Sequence, residues 1–166
     1  MRAKNIHRTH SNEAAKPERW GPRTFIELIR TRRRSRGQSS EINWIMETSP
    51  ILIVDDEPSV GDGLKLVLES NGYEVVLVTK GVDGINEART RRFGFSVVDL
   101  YLTDISGFQL ISDLRNLQPQ IPILLITAHG TPEVFDEAKR LGAIGALAKP
   151  FHPSEILKLI DCHLQK

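Results

Sequence analysis

The chain has a single cysteine, Cys162, among its 166 residues. One thiol excludes an internal disulfide framework and a cysteine-based zinc cluster, and agrees with a reducing cytosol. No run approaches the roughly 18 apolar residues that a membrane-crossing helix needs. The N-terminus is basic but lacks the apolar centre of a signal peptide. A dominant charge is missing too: 22 Lys and Arg stand against 21 Asp and Glu, a formal net of +1. That balance excludes a uniformly basic nucleic-acid coat and an acidic disordered chain. The expectation is a cytoplasmic protein without a membrane span, its 40% hydrophobic content sufficient for one packed domain and a tail.

The overall balance hides an asymmetry. Residues 1–49 hold 11 basic against 5 acidic side chains, a net of +6, whereas residues 50–166 hold 11 against 16, a net of −5. Residues 1–48 therefore read as a basic, disordered extension, polar and broken by Pro17, Gly21, Pro22 and Gly37. Arg23 to Arg34 has helical spacing, with Phe25, Leu28 and Ile29 on one side, but is too short to be stable alone. Met46 stands just before the first strand-like run and offers an alternative start. Residues 49–166 read as the folded domain.

From residue 50 onward, strand-length apolar runs alternate with amphipathic stretches, the pattern of βα units on a parallel sheet. Strands are predicted over Ile51–Val54, Tyr73–Val78, Phe95–Val98, Ile121–Ile126 and Ala146–Ala148, and helices near 58–70, 82–92, 107–117, 131–140 and 153–164. Pro58 and Pro153 suit helix starts, and Asn71-Gly72 and Leu141-Gly142 suit helix stops. Gly61 and Gly63 conflict with the first helix, weakening it by about 1 kcal/mol each relative to Ala. Five βα repeats in 117 residues make an open three-layer α/β sandwich and not an eight-stranded barrel.

Ligands of such sheets bind outside the carboxyl ends of the strands. The first strand is followed by Asp55, Asp56 and Glu57, the third by Asp99, the fourth by Thr127 and the fifth by Lys149. Carboxylates meeting at one rim repel by roughly 4 kcal/mol at 4 Å and surface-like dielectric. A proton or a cation must settle there, and hard oxygen donors of this kind suit Mg²⁺. An ionised aspartate needs no base to act as a nucleophile; it needs an electrophile held in line with its charge neutralised. Asp99, at the end of the central strand, is the candidate, with Mg²⁺ on Asp56 and the amine of Lys149 shielding a phosphoryl group and the Thr127 hydroxyl donating to it. His129, His152 and His163 match no metal-ligand spacing and read as surface histidines.

The blocks ILIVDDEP, SVVDLYLTDISG, LLITAHG and GAIGALAKPF, in this order over residues 50–166, resemble the receiver domain of two-component response regulators. The resemblance implies a flavodoxin-like (βα)5 sandwich with strand order 2-1-3-4-5. It implies that Asp99 accepts a phosphoryl group from a sensor histidine kinase or a histidine phosphotransfer protein. It implies Mg²⁺ on Asp55, Asp56, Asp99 and the backbone carbonyl of Tyr101, with Thr127 and Lys149 contacting the acyl phosphate and a cis Lys149-Pro150 bond aiming the lysine. Its output would be contact with a downstream target protein; nucleic acid is the less expected partner. The alternative is a DNA-associated transcriptional regulator whose basic tail, Arg30 to Arg36, contacts phosphates. No enzymatic activity is implied beyond the domain's own Mg²⁺-dependent phosphotransfer and slow autodephosphorylation. Four positions depart from or vary within the pattern: Ala146 stands where an aromatic is usual, Thr103 where a proline is common, and Tyr101 and His129 flank the phosphoryl group with bulk that hinders an attacking water.

Overall fold

An apolar run of four or five residues buries both of its faces only in a sheet covered by helices on two sides. The computed structural model, which describes residues 49–164, has this arrangement. The basic extension, the 23–34 helix, the Arg30–Arg36 run and Met46 lie outside the described residues. In chain order the elements are β1 Ile51–Val54, α1 Pro58–Ser70, β2 Val75–Val78, α2 Gly81–Thr90, β3 Phe95–Asp99, α3 Gly107–Leu117, β4 Ile123–Thr127, α4 Pro132–Arg140, β5 Gly145–Ala148 and α5 Pro153–Leu164. The sheet is parallel throughout, in the order β2-β1-β3-β4-β5. This is the flavodoxin-like order expected from the sequence.

Side-chain alternation splits the core in two. Ile51, Ile53, Phe95, Val97, Leu124 and Ile126 face α1 and α5, where they meet Leu64, Leu68, Ile156, Leu159 and Ile160. Leu52, Val54, Val98, Ile123 and Leu125 face the opposite layer, meeting Ala88 of α2, Leu110, Ile111 and Leu114 of α3, and Ala138 of α4. A one-residue slip of β1 or β4 would still present apolar side chains to both layers, so register must be held by the connections and the strand ends.

Boundaries differ from the expected ones where a turn claims residues with strand propensity. Tyr73 is predicted to open β2, but its N–H bonds back to the Leu68 carbonyl at 3.2 Å after Gly72 turns the chain at φ +82°. Ile121 is drawn into a turn by its bond to the Gln118 carbonyl at 3.1 Å, so β4 starts at Ile123. Both expected helix stops are present, Gly142 having φ +96°. Buried Gln118 closes the end of α2, donating to the Ala88 and Arg91 carbonyls at 2.9 and 2.8 Å and accepting from Phe93 N–H at 3.0 Å.

The two glycines of α1 separate into different cases. A Cβ at Gly61 would lie 2.9 Å from Leu77 Cδ1, so the missing side chain lets α1 approach β2 closely. At Gly63 nothing lies within 4 Å. Gly63→Ala is therefore expected to stabilise the fold by about 0.5–1 kcal/mol, the helix-propensity difference alone. A urea midpoint shifted upward checks this; an unchanged or lower midpoint contradicts it.

Candidate functional site

The sheet register builds the site. Val54 pairs with Val98, so the residues that follow, Asp55 and Asp99, stand side by side at one rim. Thr127 pairs with Ala148, which puts Lys149 one step beyond, and Lys149 N–H bonds to the Thr127 carbonyl at 2.7 Å. Asp55, Asp99 and Thr127 are buried, while Asp56 is half-buried and borders solvent. One carboxylate oxygen from each of Asp55, Asp56 and Asp99 lies within 4.8 Å of the others. The structure thus brings together Asp55, Asp56, Asp99 and the Lys149 ammonium, with Thr127 at the end of the neighbouring strand.

Lys149 supplies the positive charge within this cluster. Its Nζ donates to Asp99 Oδ2 at 2.6 Å and to Asp55 Oδ2 at 3.1 Å, and approaches Glu57 Oε2 at 3.5 Å. Burial alone would depress its pKa, but the carboxylates of Asp99 and Asp55 outweigh it and hold Lys149 above the usual lysine range. Asp55 moves the other way: burial pushes its carboxyl above the ordinary range despite the Glu57 amide at 2.9 Å and the Lys149 ammonium. The Lys149-Pro150 bond is cis.

Each oxygen of Asp99 has a partner. Tyr101 N–H donates to Oδ1 at 3.1 Å, and Lys149 takes Oδ2. The Thr127 oxygen accepts from His129 N–H at 3.1 Å and keeps its own proton for donation. The rings of Tyr101 and His129 meet edge to face, their centres 5.7 Å apart. Tyr101 is 54% exposed. Ala146 is half-buried against the α2–α4 layer. The loop after Thr127 is packed instead by Phe135 of α4, since a Cβ on Gly130 would lie 2.8 Å from both Phe135 Cζ and Ala148 Cβ.

Residues 51–161 match the family described as the response regulator receiver domain. The chain belongs to this family. Its receiver domain is 34% identical over 116 residues to the transcriptional regulatory protein CusR of Escherichia coli, covering 70% of this chain and 51% of CusR. The chain spans about a quarter to a half of the length of such curated relatives, 26% in the case of the E. coli regulator GlrR. A CheY-like receiver domain from Methanospirillum hungatei is 28% identical with a TM-score of 0.68, covering 70% of this chain and 94% of that one. A response regulator from Burkholderia pseudomallei, solved with a phosphorylated aspartic acid, a calcium ion and citrate, is 31% identical with a TM-score of 0.65, covering 70% of this chain and 69% of that one.

The receiver's acidic pocket has the donor chemistry for a divalent cation: three carboxylates, with Asp56 open enough for the ion to keep waters. Two histidines read as surface residues, His129 and His152, are exposed. His163 is not a plain surface residue, because its ring packs edge-on against Phe95 at 5.8 Å. Among the described residues no helix is long and apolar enough to cross a membrane. The role of Asp104 in the loop after β3 went unread in the sequence, since its partners are more than 20 residues away.

Proposed function

We propose that Asp99 is the phosphoacceptor of this receiver, with Mg²⁺ held by Asp55, Asp56, Asp99 and the Tyr101 carbonyl, and Thr127 and Lys149 as partners of the acyl phosphate. The observation that carries this reading is the Asp99 carboxylate, buried at the rim and bound on one oxygen by a backbone amide and on the other by an ammonium. An Asp99 oxygen attacks phosphorus, a new O–P bond forms, and the P–N bond to the donor phosphohistidine breaks with its electron pair left on the imidazole. A Mg²⁺ ion held by these residues would supply charge neutralisation for the phosphoryl oxygens. Lys149, already bridging Asp55 and Asp99, transfers a contact to one of those oxygens, and the Thr127 hydroxyl donates a hydrogen bond to another.

The phosphoryl group adds about −1.5 to −2 charges at a rim already rich in carboxylates. Drawing Thr127 toward it moves the loop that Phe135 and Ala148 pack, and the altered surface is read by a target protein. The donor is a sensor histidine kinase or a histidine phosphotransfer protein. Residues 49–166 act as the receiver unit, with 1–48 as a separate basic extension.

The test is incubation of the full chain with a small acyl-phosphate donor and Mg²⁺. A mass gain of one phosphoryl group that disappears when EDTA removes the metal is the expected result; no gain, or gain without metal, refutes the reading. We infer that the paired Tyr101 and His129 rings hinder an attacking water, so the phosphoprotein is expected to persist for minutes or longer after the donor is removed. Tyr101→Ala shortens that lifetime. Decay of the wild-type label within seconds contradicts the screening role.

A further inference from the structure

Helix α2 begins without a side-chain cap from its own N-cap residue, Lys80. The first N–H groups of a helix have no partner inside it. Here two of them are taken by Asp104: Oδ1 accepts from Gly81 N–H at 2.9 Å and Oδ2 from Val82 N–H at 2.9 Å. Partial desolvation works against ionisation of the exposed Asp104, but backbone amides, led by those of Val82 and Gly81, outweigh it together and hold the carboxyl below its ordinary range.

Asp104 belongs to the loop that leaves the phosphoacceptor. The base of that loop is closed by Gly107 N–H donating to the Leu100 carbonyl at 2.9 Å and by a bridge between Tyr101 and Ser106. Its flank lies on α2: the side chains of Ile105 and Leu102 occupy the space a Cβ on Gly81 would need, so the glycine permits the approach. The same loop carries Tyr101, whose N–H holds Asp99 Oδ1. A cap needed only by α2 could come from residue 80 itself, where Ser, Asp or Asn is the usual choice. A cap drawn from beyond Asp99 also ties two loops at the rim of the site.

We propose that Asp104 is a positioning residue of the phosphotransfer site: by gripping the first turn of α2 it holds loop 100–106 in place, and with it the Tyr101 amide on the Asp99 carboxylate. The inference rests on the reading of Asp99 given above. In the full chain, Asp104→Ala is expected to slow labelling by an acyl phosphate at saturating Mg²⁺ about fivefold, the rate equivalent of one lost cap. It also lowers the thermal midpoint by a few degrees. Adding Lys80→Ser to that variant gives α2 a local cap, which restores the midpoint and leaves labelling slow. Amide hydrogen exchange at Tyr101, protected in the wild type, is faster in both variants. Wild-type labelling by Asp104→Ala, or recovery of labelling and of Tyr101 protection on adding Lys80→Ser, overturns the proposal. Failure of the wild type to take any label refutes the phosphoacceptor reading alone, and Tyr101 exchange then decides the role of Asp104 independently.

Discussion

Asp99→Asn is expected to reduce phosphoryl labelling to below about 1% of wild type, as removal of a nucleophile does. The carboxamide keeps the shape and retains an oxygen for the Tyr101 amide, but has neither the charge nor the free lone pairs of a carboxylate. No neighbour is placed to substitute. Asp55 is fully buried, with one oxygen on the Glu57 amide and the other on Lys149. Asp56 is more open but does not stand at the end of the central strand. The measurement is intact mass after reaction with the acyl-phosphate donor and Mg²⁺. A labelled Asp99→Asn protein means that another residue is the acceptor.

Lys149→Met is expected to destabilise the metal-free fold by about 3 kcal/mol near neutral pH, because it leaves Asp55 and Asp99 buried without their cation. The signature is the pH dependence. Asp55 has a folded pKa above its ordinary 3.8, so its contribution is favourable below that value and is lost as pH rises through the folded pKa. Ionising Asp55 in the folded protein is already a cost, and losing the ammonium enlarges it. The deficit of the variant is therefore expected to narrow as pH falls from neutral through the folded pKa of Asp55, the reverse of ordinary acid destabilisation. Lys149 has a raised pKa, so its contribution is intact below 10.5 and is lost only as pH passes the folded value. The deficit must also shrink in strong alkali. Urea midpoints at these pH values check both limbs, and Mg²⁺ should recover part of the loss at neutral pH. A deficit independent of pH and of Mg²⁺ would assign the effect to packing of the lysine stem.

Asp-Asp-Glu after one apolar run and single Asp, Thr and Lys residues after three others were legible because strand length and polarity are local properties. The rim follows from placing strand ends together, and the register does so. The true start of β2 was not legible, because Tyr73 has strand propensity but its hydroxyl donates to Asp161, far along the chain on α5. The conflict at Gly61 dissolved only when Leu77 proved to fill the space of its missing side chain. Ala146 marked the absence of an aromatic; that Phe135 packs the loop after Thr127 could not be inferred from spacing.

Sequence alone determined the layered α/β class, the order of its elements, the helix stops and the polar residues at the strand ends, since each depends on neighbours within a few positions. Tertiary structure decided how those charges are balanced. Lys149 reaches Asp55 and Asp99 across 94 and 50 residues, and Asp104 caps a helix more than 20 residues behind it. Such partners are chosen by sheet register and helix packing, and an ammonium or a carboxylate settles on whichever buried group the fold brings within hydrogen-bonding reach.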